Sequence, residues 1–186
     1  VDHLLIGGGM ANTFFQAQGY AIGKSLVEPD SIDTARKLLA EGGDKLVLPV
    51  DAVIGEKFED NTATKTIKVA DGVPGEWSIY DIGPKSVDLF KQRLSTARTV
   101  VWNGPMGVFE MPTFAKGTNA VAQLLADATS KGAITIIGGG DSAAAVEGAG
   151  FGDQVTHIST GGGASLEMLE GKTLPGVAAL QDRSHD

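Results

Sequence analysis

Three short glycine runs are the part of this sequence best suited to chemistry. They occupy residues 7–9, 138–140 and 161–163, and each stands between an apolar segment and a helical pattern. A helix N-terminus carries unpaired N–H groups and about half a positive charge, and glycine lets the backbone approach an anion closely. Ligands of parallel sheets bind where strands end and helices begin. The runs together predict a polyphosphate site, although each alone would also serve as a tight turn.

An acidic residue, Asp141, directly follows the second glycine run. A carboxylate beside a bound phosphate would repel it unless a cation lay between them, and Mg²⁺ bridges carboxylate and phosphate oxygens while keeping several waters. We therefore expect Asp141 on the metal side of the ligand, with Ser142 beside it. Either residue would also suit the N-cap of the next helix, and the two roles are compatible because a capping residue lies at the same mouth.

A second polar cluster begins with the sequence WNGP at residues 102–105 and extends to Glu110. A carboxylate can accept hydrogen bonds from two ribose hydroxyls, and an amide can help to orient the sugar. This pattern makes Glu110 a candidate ribose ligand, with Asn103 near it and the apolar Val108 against a base. On residue type alone, a glutamate in such a loop is more often an ordinary surface acid.

Two widespread nucleotide-binding motifs have partial matches. Gly138, Gly140 and Ala143 fit the GxGxxG/A pattern of dinucleotide-binding folds, but the next predicted strand ends in HIST at residues 157–160, without the acid that would hold the ribose. Residues 19–25 read GYAIGKS, one residue short of a P-loop and preceded by a helix instead of a strand. We therefore interpret Lys24 as a solvated loop lysine. A dinucleotide oxidoreductase stays an alternative function, and the missing acid argues against it.

Charge and composition restrict the classes of partner. The 186 residues carry a formal net charge of -8 without a basic patch, so we expect no nucleic-acid partner. We expect no membrane segment either, since no apolar run reaches the roughly 20 residues that a membrane helix needs. Cysteine is absent, which excludes disulfides and thiolate zinc sites and favours a reducing compartment. These features favour a cytoplasmic protein.

The candidate residues have to be positioned by strands and helices that alternate along the chain. Continuous apolar strands separated by helices are typical of a parallel sheet, so we predict a doubly wound, mainly parallel α/β domain with helices on both faces. Strands are predicted at residues 1–6, 45–50, 64–69 (antiparallel or at an edge), 78–82, 99–102, 134–137 and 154–158. Helices are predicted at residues 10–18, 29–42, 85–94, 114–130, 142–147 and 164–169.

Four segments together resemble the C-terminal domain of the phosphoglycerate kinases. They read LLIGGGMANTF at residues 4–14, VVWNGPMGVFE at 100–110, ITIIGGGDSAAA at 134–145 and HISTGGGASLEMLEGKTLPGV at 157–177. The resemblance extends from Val1 to about Leu180 and implies a Rossmann-like nucleotide-binding domain. It implies the glycolytic, Mg²⁺-dependent phosphoryl transfer between 1,3-bisphosphoglycerate and ADP, which gives 3-phosphoglycerate and ATP.

The resemblance also implies a role for individual residues in binding ATP or ADP. The nucleotide would be held by Gly8, Leu26, Asn103, Val108, Glu110, Gly139, Gly140, Asp141 and Ser142. Within this set, Gly8, Leu26 and Val108 would line the adenine slot. Glu110 would hold the ribose hydroxyls, and Asp141 would lie at the metal ion.

A catalytic role is implied for Gly162 and Gly163, at the start of the last helix of the matching region. They would face the transferring phosphoryl group and stabilise its charge. Phosphoryl transfer depends mainly on positioning and charge stabilisation, so backbone donors at a helix start suit this task. Ser142 stands where the family usually has threonine, and it keeps the hydroxyl.

The resemblance finally predicts the domain organisation. Residues 1–180 would form the nucleotide-binding domain and residues 181–186 a polar tail. The family carries a strand–helix unit before the position of Val1, and an N-terminal domain that holds 3-phosphoglycerate. We expect this chain to lack both, to have a gap in its sheet, to bind nucleotide weakly and to be inactive alone, with a monomeric parent enzyme. The alternative is a module that only binds nucleotide and has no catalytic parent. A reading frame that continues upstream into an arginine-rich domain would favour the kinase fragment over this module.

Overall fold

The computed structural model describes residues 1–180, and the predicted tail lies outside the described residues. The strands are β1 (Leu4–Leu5), β2 (Leu46–Val47), β3 (Asp51–Gly55), β4 (Thr64–Lys68), β5 (Ser78–Ile82), β6 (Thr99–Asn103), β7 (Ile134–Gly138) and β8 (His157–Ser159). The helices are α1 (Gly8–Ala17), α2 (Ile32–Gly42), α3 (Pro84–Leu94), α4 (Lys116–Ser130), α5 (Gly140–Gly148), α6 (Gly162–Leu169) and α7 (Pro175–Ala178). No helix of these residues has the length and apolarity that crossing a bilayer requires.

The parallel strands form two separate pieces within residues 1–180. β6, β7 and β8 pair in that order, which sets Trp102 beside Ile137 and Asn103 beside Gly138. β1 pairs with β2 alone. The predicted parallel α/β architecture is confirmed, and it has one unpaired edge on β1 and another on β6. If one sheet lacked a strand between β1 and β6, it would show these two edges. The predicted gap in the sheet stays a prediction.

An antiparallel sheet of order β4-β3-β5 follows β2. The predicted strands at residues 64–69 and 78–82 are confirmed as β4 and β5, with β4 at the edge. The continuous strand predicted at residues 45–50 is wrong: β2 ends at Val47, and β3, which was not predicted, begins at Asp51 in another sheet. Pro49 lies between them, and proline removes the N–H that a strand ladder needs.

Two apolar clusters form the core. One surrounds β6 and β7 and is covered by α3 and α4; its buried members include Phe90, Trp102, Val121, Leu125, Ile137 and Val146. The other lies around α1; its buried members include Ile6, Phe14, Phe15, Ala35 and Ala52. On α2, Ala35 is buried in this second cluster, whereas Leu38 is 41% exposed.

The helices after the glycine runs begin two residues earlier than predicted. α1 begins at Gly8, α5 at Gly140 and α6 at Gly162, so the first turn of each contains glycines. In contrast, strand β8 starts later than predicted, at His157 instead of residue 154, because a short 3-10 helix occupies residues 152–154. The glycine runs are therefore parts of the helix N-termini, and their amides lie where strands β1, β7 and β8 end.

Candidate functional site

The ends of β6, β7 and β8 meet at one edge around the Asn103 side chain. A methyl group at Gly162 would lie 2.7 Å from the Gly139 Cα atom and 3.2 Å from Asn103 Nδ2. A methyl group at Gly138 would lie 3.1 Å from the same Nδ2 atom. These glycines let three chain segments approach more closely than side chains would allow. The structure therefore brings together the predicted residues Asn103, Gly139 and Gly162.

The buried Ser142 side chain links two of the segments at this edge by a hydrogen bond. Its buried hydroxyl oxygen accepts the Gly104 N–H at 2.7 Å, which joins the loop after β6 to α5. The N-cap of α5 is Gly139, with a φ of 94°, and no side chain caps this helix. The interpretation of Asp141 or Ser142 as N-cap is therefore wrong, because both lie inside the first turn.

The first turns of α5 and α6 present backbone donors at this edge. Amides in a first helical turn have no carbonyl one turn earlier to accept their hydrogens, and the helix dipole adds partial positive charge there. Gly140, Asp141 and Ser142 hold these positions in α5, and Gly162 and Gly163 in α6. Such an arrangement suits an anion with several oxygens.

Gly139 differs from its neighbours in this respect. Its N–H donates to the Ser159 carbonyl at 2.9 Å, which continues the pairing of β7 with β8. This amide is therefore already engaged, and Gly139 contributes its positive φ and its small size. The free donors of α5 begin at Gly140.

Asp141 is exposed, and no hydrogen bond or ion pair within the described residues engages its carboxylate. No group of three or more His, Cys, Asp or Glu side chains within residues 1–180 has metal-binding geometry. Mg²⁺ is often held by one or two carboxylates together with phosphate oxygens and waters. Within residues 1–180, the free Asp141 carboxylate beside two helix N-termini suits a Mg²⁺ ion that arrives with a polyphosphate, and it does not suit a metal held by these residues alone.

Gly8 connects β1 to the loop that follows β6. It has a φ of 59°, and its N–H donates to the Met106 carbonyl at 3.2 Å. A methyl group at Gly8 would lie 2.7 Å from the Pro105 carbonyl oxygen. Because the backbones touch here, the two parallel pieces of the fold meet at their carboxyl ends.

Leu26 is an exposed apolar side chain on a fixed backbone. It is 74% exposed, while its carbonyl accepts the Asn12 side-chain amide at 3.0 Å. The Leu26 side chain covers Gly9, where an added methyl group would lie 3.2 Å from its Cδ2 atom. This geometry suits one wall of a slot for a flat apolar group.

Val108 and Glu110 lie on the loop between β6 and α4. The Val108 N–H donates to the Tyr80 carbonyl at 2.8 Å, and the side chain is half-buried. Glu110 is exposed, and no contact within the described residues ties its carboxylate to the other candidate residues. Gly163 also has open space around it. The roles of all the candidate residues stay predictions, and for Glu110 and Gly163 the structure adds no supporting contact.

Sequence reasoning missed two buried residues that hold this loop. The Asp81 carboxylate accepts the N–H groups of Gly117 at 2.7 Å and Ile82 at 2.9 Å. Burial raises the pKa of Asp81 to about 7, against the lowering influence of these two N–H groups and of Lys116. The second missed residue is Thr118, whose hydroxyl accepts two N–H groups of the loop. No sequence motif marks either residue, since both act through contacts distant in the chain.

Lys24, in the partial P-loop match, forms an exposed ion pair with Glu76 at 2.6 Å. Both side chains are largely in solvent. The interpretation of Lys24 as a solvated loop lysine is confirmed.

Glycine-opened helix starts at the carboxyl edge of a parallel sheet define an α/β protein with an edge that is suited to anions. The family model of phosphoglycerate kinase matches residues 1–172. The chain belongs to the phosphoglycerate kinase family. It is 57% identical over 185 residues to the phosphoglycerate kinase of Chloroflexus aurantiacus, and 58% identical over 186 residues to that of Pelotomaculum thermopropionicum. Each match covers 98% of this chain and 46% of the relative, so the chain spans about half the length of these curated relatives.

Solved structures agree with this assignment. The fold is similar to phosphoglycerate kinase from Coxiella burnetii, with a TM-score of 0.88 and 43% identity over 96% of this chain and 46% of that one. It is also similar to the phosphoglycerate kinase from Pyrococcus horikoshii, with a TM-score of 0.83 and 35% identity over 97% and 45% of the two chains. The family resemblance predicted from four sequence segments is confirmed.

Proposed function

We propose that this chain is the nucleotide-binding half of a glycolytic phosphoglycerate kinase, and that it holds ADP or ATP with Mg²⁺. One observation carries the proposal: α5 and α6 begin with glycines at a single edge, where Asp141 has no partner among residues 1–180. Unpaired amides and a free carboxylate match the phosphates and the cation of a magnesium nucleotide.

The remaining candidate residues give this ligand an orientation. Its phosphates lie at Gly140, Asp141 and Ser142, and its adenine lies between Leu26 and Val108. Contact between Gly8 and the loop that carries Val108 supports this arrangement, because it sets the two walls of the slot side by side. Glu110 then accepts the ribose hydroxyls.

In the reaction, the amides of Gly162 and Gly163 stabilise charge on the transferring phosphoryl group. Preorganised donors of this kind act without reorganisation during the reaction. Mg²⁺, when bound with the nucleotide, neutralises phosphate charge. The 3-phosphoglycerate is held by the other half of the parent enzyme, which we propose to be monomeric and cytoplasmic. The half-length match to the relatives supports the existence of such a half in them. The chain alone is then catalytically incompetent, and nucleic acids and membranes are not its partners.

Titration of the 186-residue chain with ADP, followed by calorimetry or NMR, tests the proposal. We expect saturable ADP binding that Mg²⁺ strengthens. Asp141→Asn removes the carboxylate, so the strengthening by Mg²⁺ should fall about tenfold, or about 1.4 kcal/mol, while binding without Mg²⁺ is kept. Asp153→Asn is the matched control, because it removes an exposed charge at a turn after α5. Absence of ADP binding at millimolar concentrations, or tighter binding of NAD, would overturn the proposal.

A further inference from the structure

Two buried pairs, each with a carboxylate and a hydroxyl, fasten strands to helix starts in this fold. In the first, Asp51 of β3 accepts the N–H groups of Lys85 at 3.0 Å and Ser86 at 2.8 Å, in the first turn of α3. The Ser86 hydroxyl oxygen accepts the amides of Val50 at 3.0 Å and Asp51 at 3.1 Å. This Asp51–Ser86 pair joins β3 to α3, and it contacts none of the candidate site residues.

The second pair repeats this chemistry at the next strand and helix. Asp81 of β5 accepts the N–H of Gly117 in the first turn of α4. The Thr118 hydroxyl oxygen accepts the amides of Met106 at 3.0 Å and Gly107 at 3.3 Å. Asp81 and Thr118 are both fully buried. The pairs differ in two ways. The Ser86 hydroxyl also donates to the Asp51 carboxylate at 2.6 Å, whereas no hydrogen bond within the described residues joins Thr118 to Asp81. The Thr118 hydroxyl holds the loop between β6 and α4.

That loop is fixed at three successive residues. Thr118 holds Met106 and Gly107, and the Tyr80 carbonyl holds the Val108 amide at 2.8 Å. Gly107 packs so closely that an added methyl group would lie 2.5 Å from Asp81 Oδ1. On its other side, the Met106 carbonyl accepts the Gly8 amide. The position of this loop therefore sets the separation of Gly8 and Val108.

We propose that Thr118, with Asp81 behind it, is a positioning residue for nucleotide binding. Its hydroxyl fixes residues 106–108 and thereby sets the width of the slot between Gly8 and Val108. This inference rests on the proposed function, because it assigns adenine to that slot. It gives the Asp81–Thr118 pair a role in nucleotide binding, whereas the Asp51–Ser86 pair stabilises the fold alone.

The test compares Thr118→Val with Ser86→Ala in the 186-residue chain. Both variants remove a buried acceptor of two backbone amides, so both should lower the midpoint of urea unfolding. Thr118→Val alone should weaken Mg-ADP binding about tenfold, since a 1.4 kcal/mol loss is of the order of a buried hydrogen bond. Its affinity for magnesium pyrophosphate, which needs only the helix N-termini, should be unchanged. Thr118→Ser keeps the hydroxyl and should bind ADP like the wild type.

Thr118→Ala is measured in parallel, in case valine at this position prevents folding. Wild-type ADP affinity in Thr118→Val and Thr118→Ala, which both lack the hydroxyl, would overturn the inference and leave the proposed function intact. Equal losses in Thr118→Val and Ser86→Ala would also overturn it, because they would show a general effect of stability. A wild-type chain that binds neither ADP nor pyrophosphate would overturn the proposed function and this inference together.

Discussion

Glycines of the candidate site have two different reasons for being glycine. Gly139 adopts a φ of 94°, and Gly162 lies against the Gly139 backbone, so the fold itself requires both. Gly140 and Gly163 have ordinary φ angles and open space around them. A methyl group at these two positions would meet no atom of residues 1–180, so the described fold does not require glycine there. The proposed function does require it, because a bound phosphate would lie close to the backbone.

Gly140→Ala is therefore expected to separate binding from folding. We predict that Mg-ADP affinity falls about tenfold, while the free energy of unfolding stays the same or rises by up to about 1 kcal/mol, because alanine is the better helix former. Calorimetric titration and urea unfolding measure the two quantities. Gly148→Ala is the control, since Gly148 ends the same helix and also has open space around it. Unchanged ADP affinity in Gly140→Ala would show that no phosphate lies there.

At the scale of elements, the connection between β5 and α4 depends on a carboxylate that is costly to ionise. Asp81 lies at the N-terminus of α4, which favours negative charge, but burial has the larger effect and raises its pKa from 3.8 to about 7. The folded state therefore holds this proton more tightly than the unfolded state does. Stability linked to Asp81 is full below about pH 4, and it is lost as pH rises through about 7.

Asp81→Asn should remove this pH dependence. In urea unfolding between pH 4.5 and 8, the wild type should lose stability relative to this variant as pH rises, by at most about 4 kcal/mol. Asp153→Asn, at an exposed position, should keep the wild-type profile. Parallel profiles for the wild type and Asp81→Asn would mean that Asp81 is ionised throughout this range.

Most elements could be predicted because their apolar patterns are local. β6 and β7 are continuous apolar segments, and α4 buries Val121, Leu125 and Ala126 at helical spacing. β3 escaped prediction because Leu46 to Gly55 is almost continuously apolar or small, and only the break at Pro49 divides it between two sheets. Chain pattern alone does not reveal which sheet a strand joins.

The candidate site divides in the same way. Glycine runs after strands predict where anions would bind, and the meeting of Asn103, Gly139 and Gly162 agrees with that prediction. Thr118 and Asp81 could not be predicted, because a threonine in a helix and an aspartate in a strand are ordinary until their partners in space are known. Positions that line a site can be marked by local motifs, whereas the residues that hold those positions act across distant segments.

At the scale of the whole molecule, the proposed enzyme needs more than these residues. The helix α6, at the edge where β6, β7 and β8 end, has no buried residue within the described chain. The curated relatives of this chain are about twice as long as the chain itself. A phosphoryl group leaving ATP therefore needs an acceptor site that the family resemblance assigns to the other half.

We predict that the 186-residue chain produces no ADP above background from ATP and 3-phosphoglycerate in a coupled kinase assay. The full-length phosphoglycerate kinase of Chloroflexus aurantiacus, under the same conditions, is the positive control. Nucleotide binding measured on the same preparation shows that the chain is folded. Turnover by the chain alone would place an acceptor site within these residues and would contradict the proposed division of labour.

The contact between Gly8 and Met106 has a consequence for how firmly the two parallel pieces of the fold are joined. Strands β1 and β6 share no ladder within residues 1–180, so their spacing depends on this one backbone hydrogen bond and on packing such as that of Val47 near Trp102. Packed side chains tolerate a small sliding movement more readily than a register of hydrogen bonds does. The two parallel pieces are therefore joined less firmly to each other than two strands of one ladder would be.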